Sequence, residues 1–237
     1  MSTLDGAPVR SLSLVWPRAG AWRADVTLDG GAQGATAPAI GARVTLAVGG
    51  ASGSVAFVGT ALHSGLDAPG LPHVVVVGAL GWETLATAPV SYQADAGVRL
   101  STVLRDLAAR AGETVEQPAD RIIGEAYALH ASRYAQPMRL RDALAALASV
   151  GALGPWRADP DGTTRFGARA TDGATVSVRA TVLRRDAGVG LTVLGIDDPS
   201  GLAPGMVVSV GASGETAAIG RLVVIESSGK LEAEAWE

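Results

Sequence analysis

The feature that most constrains this chain is a change of hydrophobic period at Leu100. On either side of residues 100–166 the apolar residues alternate one by one, the spacing of strands. At Leu100 they switch to the spacing of a helix. Leu100, Val103, Leu104, Leu107, Ala108 and Ala111 fall on one helical face, and Gly112 stands where a left-handed cap would end it. Leu140, Leu144, Leu147 and Ala148 repeat part of that spacing forty residues later, with Gly151 following. This predicts a second helix over residues 138–150, with Pro137 suited to its first turn. The repetition fits a duplication or the generic look of Ala/Leu helices, and we favour the generic reading. Helices this short do not hold themselves in water, so both must dock; we expect them to brace the two β arms.

The first arm reads as about six short strands. Ser11–Trp16 and Trp22–Leu28 alternate around a Pro17–Gly20 turn, and Ala42–Val48 and Val55–Val58 flank a Gly-rich turn at Gly49–Gly53. Val74–Val77 is apolar on both faces, as in a strand buried from both sides. Trp82–Leu85 and Val90–Gln93 are read as the last two strands. Residues 30–38 read as a loop, and that loop and the segment 64–72 either order against a partner or stay disordered in solvent. Between the helices, residues 121–133 are read as mixed loop and strand. Trp156–Phe166 is a hairpin around Pro160-Asp161-Gly162, where Pro presets φ, Asp bonds its own backbone and Gly takes the left-handed position. Val176–Leu183, Val189–Ile196, Met206–Val210, Ala218–Ile225 and Leu231–Trp236 form a second antiparallel arm.

Composition narrows the chemistry. The formal charge of −4 over 237 residues, with no basic run, argues against a dedicated nucleic-acid binder. There is no cysteine, which excludes disulfides, thiolate metal sites and cysteine nucleophiles. Met1–Pro8 does not read as a secretion signal, and no apolar run approaches the ~20 residues of a spanning helix. A soluble chain made in a cytoplasm is expected.

No catalytic constellation stands out. His63, His73 and His130 lack metal-ligand spacing. The pairs Asp159/Asp161 and Asp197/Asp198 could in principle do acid–base work, but each lies in a Pro-containing turn where Asp bonds backbone. The segments 49–53 and 211–214 are Gly-rich without the Lys-Ser/Thr of a phosphate loop, and read as hairpin turns. Trp16, Trp22, Trp82 and Trp156 read as core, whereas Trp236 could dock on a neighbour. We therefore expect no catalytic, cofactor-binding or metal-binding residues and no cofactor.

In the order of these elements the chain resembles the tail-hub (baseplate hub, late control) proteins of bacteriophages. Leu140-Arg-Asp-Ala-Leu144-Ala-Ala-Leu147, Gly151, Trp156 and Asp161-Gly162 resemble that family's helix, Trp and Asp-Gly hairpin. Residues 98–112 resemble the helix after its first β domain. Residues 41–48 with 55–59 and residues 202–208 resemble hairpins of its two barrels. The resemblance implies a mainly β fold in which two antiparallel β-barrels, residues 1–95 and 171–237, flank an α+β unit at 96–170 with two helices and a hairpin. It implies a homotrimeric, pseudo-sixfold ring in the virion, assembled in the host cytoplasm. That ring would adapt a hexameric tail tube or distal tail protein to a threefold spike or tip protein, near the tape measure protein. It implies no enzyme, no membrane segment and no specific nucleic-acid binding. The alternative is a stand-alone β-rich module that binds carbohydrate or a host surface.

Overall fold

In the computed structural model, residues 1–30, 36–49, 53–130, 136–210, 215–227 and 230–236 are described. The Gly-rich turns at 50–52 and 211–214, most of the 30–38 loop and residues 131–133 of the inter-helix stretch lie outside them. The protein is mainly β, and its described residues form three helices, two of which the periodicities predict. Its contacts divide it into two compact units, one of residues 1–78 with 169–237 and one of residues 79–168.

The first unit opens with a closed barrel. Strands β1 (Thr3–Leu4), β2 (Ala7–Pro17), β3 (Arg23–Leu28), β4 (Arg43–Gly49), β5 (Ser54–Leu66) and β6 (Pro72–Val77) pair antiparallel in the order β1-β4-β5-β6-β3-β2, and β1 closes back onto β2. The alternation seen in the sequence is the barrel's inside and outside. Leu12, Leu14, Val26, Leu28, Leu46 and Phe57 point inward and are buried. Trp16 and Trp22 meet Phe57 edge-on, with ring centroids 5.2 and 5.3 Å away. Gly78 lets its backbone pass the Trp22 indole, where a Cβ would stand 2.1 Å from Nε1. Residues 64–72 are ordered within the chain itself, as the top of the β5–β6 hairpin. Its turn is closed by the Leu71 amide donating to Asp67 Oδ1 at 2.7 Å and the Asp67 amide to the Leu71 carbonyl at 2.8 Å.

The second arm contributes β14 (Thr175–Val178), β15 (Ala180–Asp186), β16 (Leu191–Ile196), β17 (Val207–Val210), β18 (Glu215–Ala218), β19 (Arg221–Ser227) and β20 (Lys230–Trp236). The single run expected over 176–183 is thus two strands, because the chain changes sheet at Arg179. Likewise 218–225 divides at Gly220, between β18 and β19. β14-β17-β18 is a separate three-stranded sheet in which β14 and β17 run parallel, which their long separation in the chain permits. β19, β20, β16 and β15 extend the barrel sheet to ten strands, because β19 pairs with β2 from Arg221↔Pro17 to Ser227↔Ser11. The two arms therefore join directly by main-chain hydrogen bonding.

The second unit holds α1 (Leu80–Thr84), β7 (Ala86–Thr87), β8 (Val90–Arg99), α2 (Leu100–Ala111), β9 (Thr114–Val115), β10 (Ile122–Leu129), β11 (Met138–Arg139), α3 (Leu140–Val150), β12 (Trp156–Ala158) and β13 (Thr163–Phe166). α2 buries Leu100, Val103, Leu104, Leu107, Ala108 and Ala111, the face its spacing defined, and ends on Gly112 at φ +66°. Two expectations are corrected. Residues 82–85 are not a strand: Ala79 turns left-handed and the Trp82 amide donates to its carbonyl, starting a short helix that buries Trp82. α3 starts at Leu140, since Met138 and Arg139 are held in a short ladder with Thr87 and Ala86. Gly151 is in the right-handed region, and Ala152, at φ +48°, takes the left-handed turn. Neither long helix is capped by the side chain of its own N-cap residue, although the Ser101 amide in the first turn of α2 donates to Asp120 Oδ1 at 3.0 Å. Instead the Leu100 amide donates to the Arg121 carbonyl and the Leu140 amide to that of Leu85, each at 2.9 Å.

Candidate functional site

The hairpin predicted around Asp161 forms as its residues dictate. Gly162 is at φ +79°, its amide donates to the Asp159 carbonyl at 3.0 Å, and the Thr163 amide donates to Asp161 Oδ1 at 2.9 Å. The two carboxylates face guanidinium groups. Arg157 and Arg165 stand directly opposite on β12 and β13. Arg165 donates to Asp159, Asp161 and Glu116 at 2.6–3.0 Å, and the nearly buried Arg157 donates to Asp159 at 3.1 Å and to the Gly167 carbonyl. The Arg165 hydrogen bond, with the Thr163 amide, holds the Asp161 carboxyl below its ordinary value; hydrogen bonds to Asp161, Glu116 and Asp159 push the Arg165 guanidinium up. These bonds tie β12 to β13 and to Glu116 beyond β9, so the cluster is a hairpin lock. The sequence reading singled out the two Asp residues but missed Arg157, Arg165 and Glu116. The signal was available, since a two-strand hairpin around Asp161-Gly162 puts residues 157 and 165 opposite one another.

A carboxyl lowered by folding stabilises above its ordinary range, and that stability is lost as pH falls through the lowered value. Asp161→Asn should cost on the order of 0.5 kcal/mol at pH 7, its side chain being half exposed. In acid-unfolding curves the gap between variant and wild type should close toward low pH; a gap that widened would contradict the assignment.

The other candidates scatter. Asp198 lies in its own turn, accepting from the Ser200 amide at 2.8 Å, and hydrogen bonds from Ser200 hold its carboxyl low. His63 and His73, on β5 and β6, have ring centroids 6.0 Å apart, and His73 Nε2 is 3.9 Å from Asp25. Among the described residues no group of three or more His, Asp or Glu could hold a metal ion. Trp16, Trp22, Trp82 and Trp156 are buried; Trp236, at the end of β20, packs under Arg221 with the guanidinium 4.6 Å from the ring. No helix is long and apolar enough to cross a membrane among the described residues.

What the structure assembles, and the sequence did not disclose, is a continuous sheet surface. From β5 to β15 eight strands run in the order β5-β6-β3-β2-β19-β20-β16-β15, each antiparallel to the next. One registered row crosses all eight: His63, Val75, Asp25, Ser13, Ile225, Glu232, Gly195, Thr181. Four strands come from each arm. Among the described residues both ends are open: β15 pairs only with β16, and β5 loses β4 after Thr60, leaving the edge of Leu62–Leu66 free. Beside β15 lies a groove of about 600 Å³, lined by Arg179, Thr181, Leu183, Gly195, Lys230 and Glu232 among others.

A closed barrel extended into an open eight-stranded wall, together with a small helical unit, is a fold that this chain shares with two solved structures. The chain superposes on the 43 kDa tail protein of prophage MuSo2 from Shewanella oneidensis with a TM-score of 0.62 at 11% identity, over 99% of this chain and 95% of that one. It also matches the E. coli c3393 protein, with a TM-score of 0.58 at 12% identity, over 100% of this chain and 76% of that one. That protein is described as a component of the type VI secretion system with structural similarity to the T4 bacteriophage tail proteins gp27 and gp5. No family model matches the sequence, and no curated protein matches it. The tail-protein likeness read from the order of motifs is thus found again in the fold.

Proposed function

We propose that the protein is a structural virion component, a tail or baseplate hub. It forms a homotrimeric ring of pseudo-sixfold symmetry that joins a hexameric tail tube or distal tail protein to a threefold spike or tip protein, beside the tape measure protein. It is assembled in the host cytoplasm, sits at the tail tip and has no enzymatic role. Residues 1–95 and 171–237 act in it as two barrel domains on either side of residues 96–170.

The observation that carries this reading is the eight-stranded wall, four strands from each arm, open at both ends. Three copies present six such four-stranded sets, which is how a threefold assembly meets a sixfold one. Twenty-four strands at about 4.8 Å each enclose a channel on the order of 35–40 Å across between backbones. The tail-protein folds named above support the same reading. A carbohydrate-binding module would instead present aromatics on one β face, whereas four of the five tryptophans are buried.

Light scattering of the purified protein, alone and with its tail partners, should give three chain masses, and micrographs of the particle should show threefold density at the tail tip. A strict monomer even beside those partners would overturn the proposal.

A further inference from the structure

We propose that His63 and His73 form a two-imidazole site for a divalent transition-metal ion of the Zn²⁺ class. It lies on the face of the sheet turned away from the barrel core, and Asp25 orients His73 within it. The site is independent of the hub reading, since neither its geometry nor its test involves a second copy of the chain.

The two histidines stand ten residues apart in the chain, which is no ligand motif, and a β-bulge brings them together. β5 and β6 pair Ala61↔Val76 and then His63↔Val75, so Leu62 is an extra residue in β5. In a regular ladder His63 would oppose Val74, which is fully buried in the barrel, and would share its inward face. With the bulge, His63 opposes Val75 instead and joins the face of His73, whose direct partner in β5 is Gly65.

On that face the two rings converge. Their centroids are 6.0 Å apart, at an interplanar angle of 51°. His63 leans along its strand over Gly65, toward the row of His73: a Cβ at Gly65 would stand 3.3 Å from His63 Nε2. Imidazole nitrogens bind Zn²⁺ at about 2.0–2.1 Å, which sets the centroids of two rings on one tetrahedral ion roughly 5 Å apart. Rotation about the side-chain torsions closes the remaining gap of about 1 Å. His63 is exposed and the His73 side chain is 28% exposed, so an ion reaches both from solvent.

Donor type and charge set the class of ion. β6 runs between β5 and β3, so His73 has His63 on one side and Asp25 on the other, with its Nε2 3.9 Å from Asp25 Oδ1. The carboxylate favours a proton on Nε2 and leaves Nδ1 to ligate, the carboxylate–histidine–metal arrangement that fixes tautomer and ring orientation. Asp25 Oδ2 also faces Arg23 Nε at 3.4 Å, so this carboxylate orients His73 rather than ligating. Neutral imidazoles suit Zn²⁺, Ni²⁺ and Cu²⁺, whereas Ca²⁺ and Mg²⁺ take oxygen ligands. With two protein ligands the ion keeps water in its other positions. Bridging β5 to β6, it pins the upper part of a hairpin in which β5 has left β4 beyond Thr60.

Isothermal titration of the full chain with zinc chloride at neutral pH tests the site, with calcium chloride as the oxygen-seeking comparison. The expected result is saturable binding of one Zn²⁺ per chain and none of Ca²⁺. His63→Gln and His73→Gln should each abolish it, and His130→Gln, which replaces the third histidine, should leave it unchanged. Asp25→Asn should weaken it about tenfold or more. Thr27 is the direct partner of His73 in β3, so Thr27→His adds a third imidazole to the same face and should move the titration to lower zinc. His63 is an exposed surface residue, so His63→Gln keeps the test sound even if His73→Gln folds poorly; circular dichroism checks both. Absence of saturable Zn²⁺ binding by the wild type, wild-type affinity in His63→Gln, or loss of binding in His130→Gln would each overturn the site. Wild-type affinity in Asp25→Asn would overturn the orienting role of that carboxylate.

Discussion

Leu104→Asp, or Leu144→Asp, should unfold the unit of residues 79–168. Both leucines are fully buried, on α2 and α3, which pack against one another. A carboxylate there must either ionise without a partner or protonate well above its ordinary range, in addition to leaving a cavity. The cost should exceed about 4 kcal/mol, which is comparable to the whole stability of a unit this size. The expected readout is loss of helical circular dichroism and rapid proteolysis within residues 79–168, together with loss of trimer. Near-wild-type melting of either variant would mean that the helices do not organise this unit.

Leu14→Asp tests the other unit. Leu14 sits at the centre of β2, paired with Ala24 on one side and with Val224 of β19 on the other, and all three are buried. Since β2 is shared by the barrel and the β19-β20-β16-β15 ladder, the substitution should abolish both arms in one transition, again at more than about 4 kcal/mol. Thermal unfolding followed by tryptophan fluorescence, with limited proteolysis, measures this. If residues 171–237 kept their own transition, the β2–β19 ladder would not couple the arms.

What was legible in the sequence was whatever repeats at short range. The period of two placed the barrel strands, the i, i+3, i+4 pattern placed all six buried residues of α2, and Pro160-Asp161-Gly162 placed the hairpin. The failures are also local in cause. Trp82–Leu85 is too short to show a period, and its helix depends on a left-handed Ala79 that no residue type announces. Pro137 suits a helix start and predicts α3 from Met138, yet a two-residue ladder with β7 holds Met138 and Arg139 extended. In the candidate site the carboxylates of Asp159 and Asp161 are visible as chemistry, but Glu116, which shares their partner Arg165, lies 49 residues from it in the chain.

By itself, then, the sequence determined the kind and order of the longer, periodic elements, the buried face of α2, and the absence of thiol chemistry; these follow from side-chain periodicity and residue type. Only the tertiary structure decided that β1 closes onto β2, that β2 and β19 join arms some 210 residues apart, and that the eight-stranded wall is left with two open edges. The reason is that strand alternation says which face of a strand is apolar but nothing about which strand lies beside it. Neighbours in a sheet are chosen by main-chain hydrogen bonds, which every residue except proline can make alike.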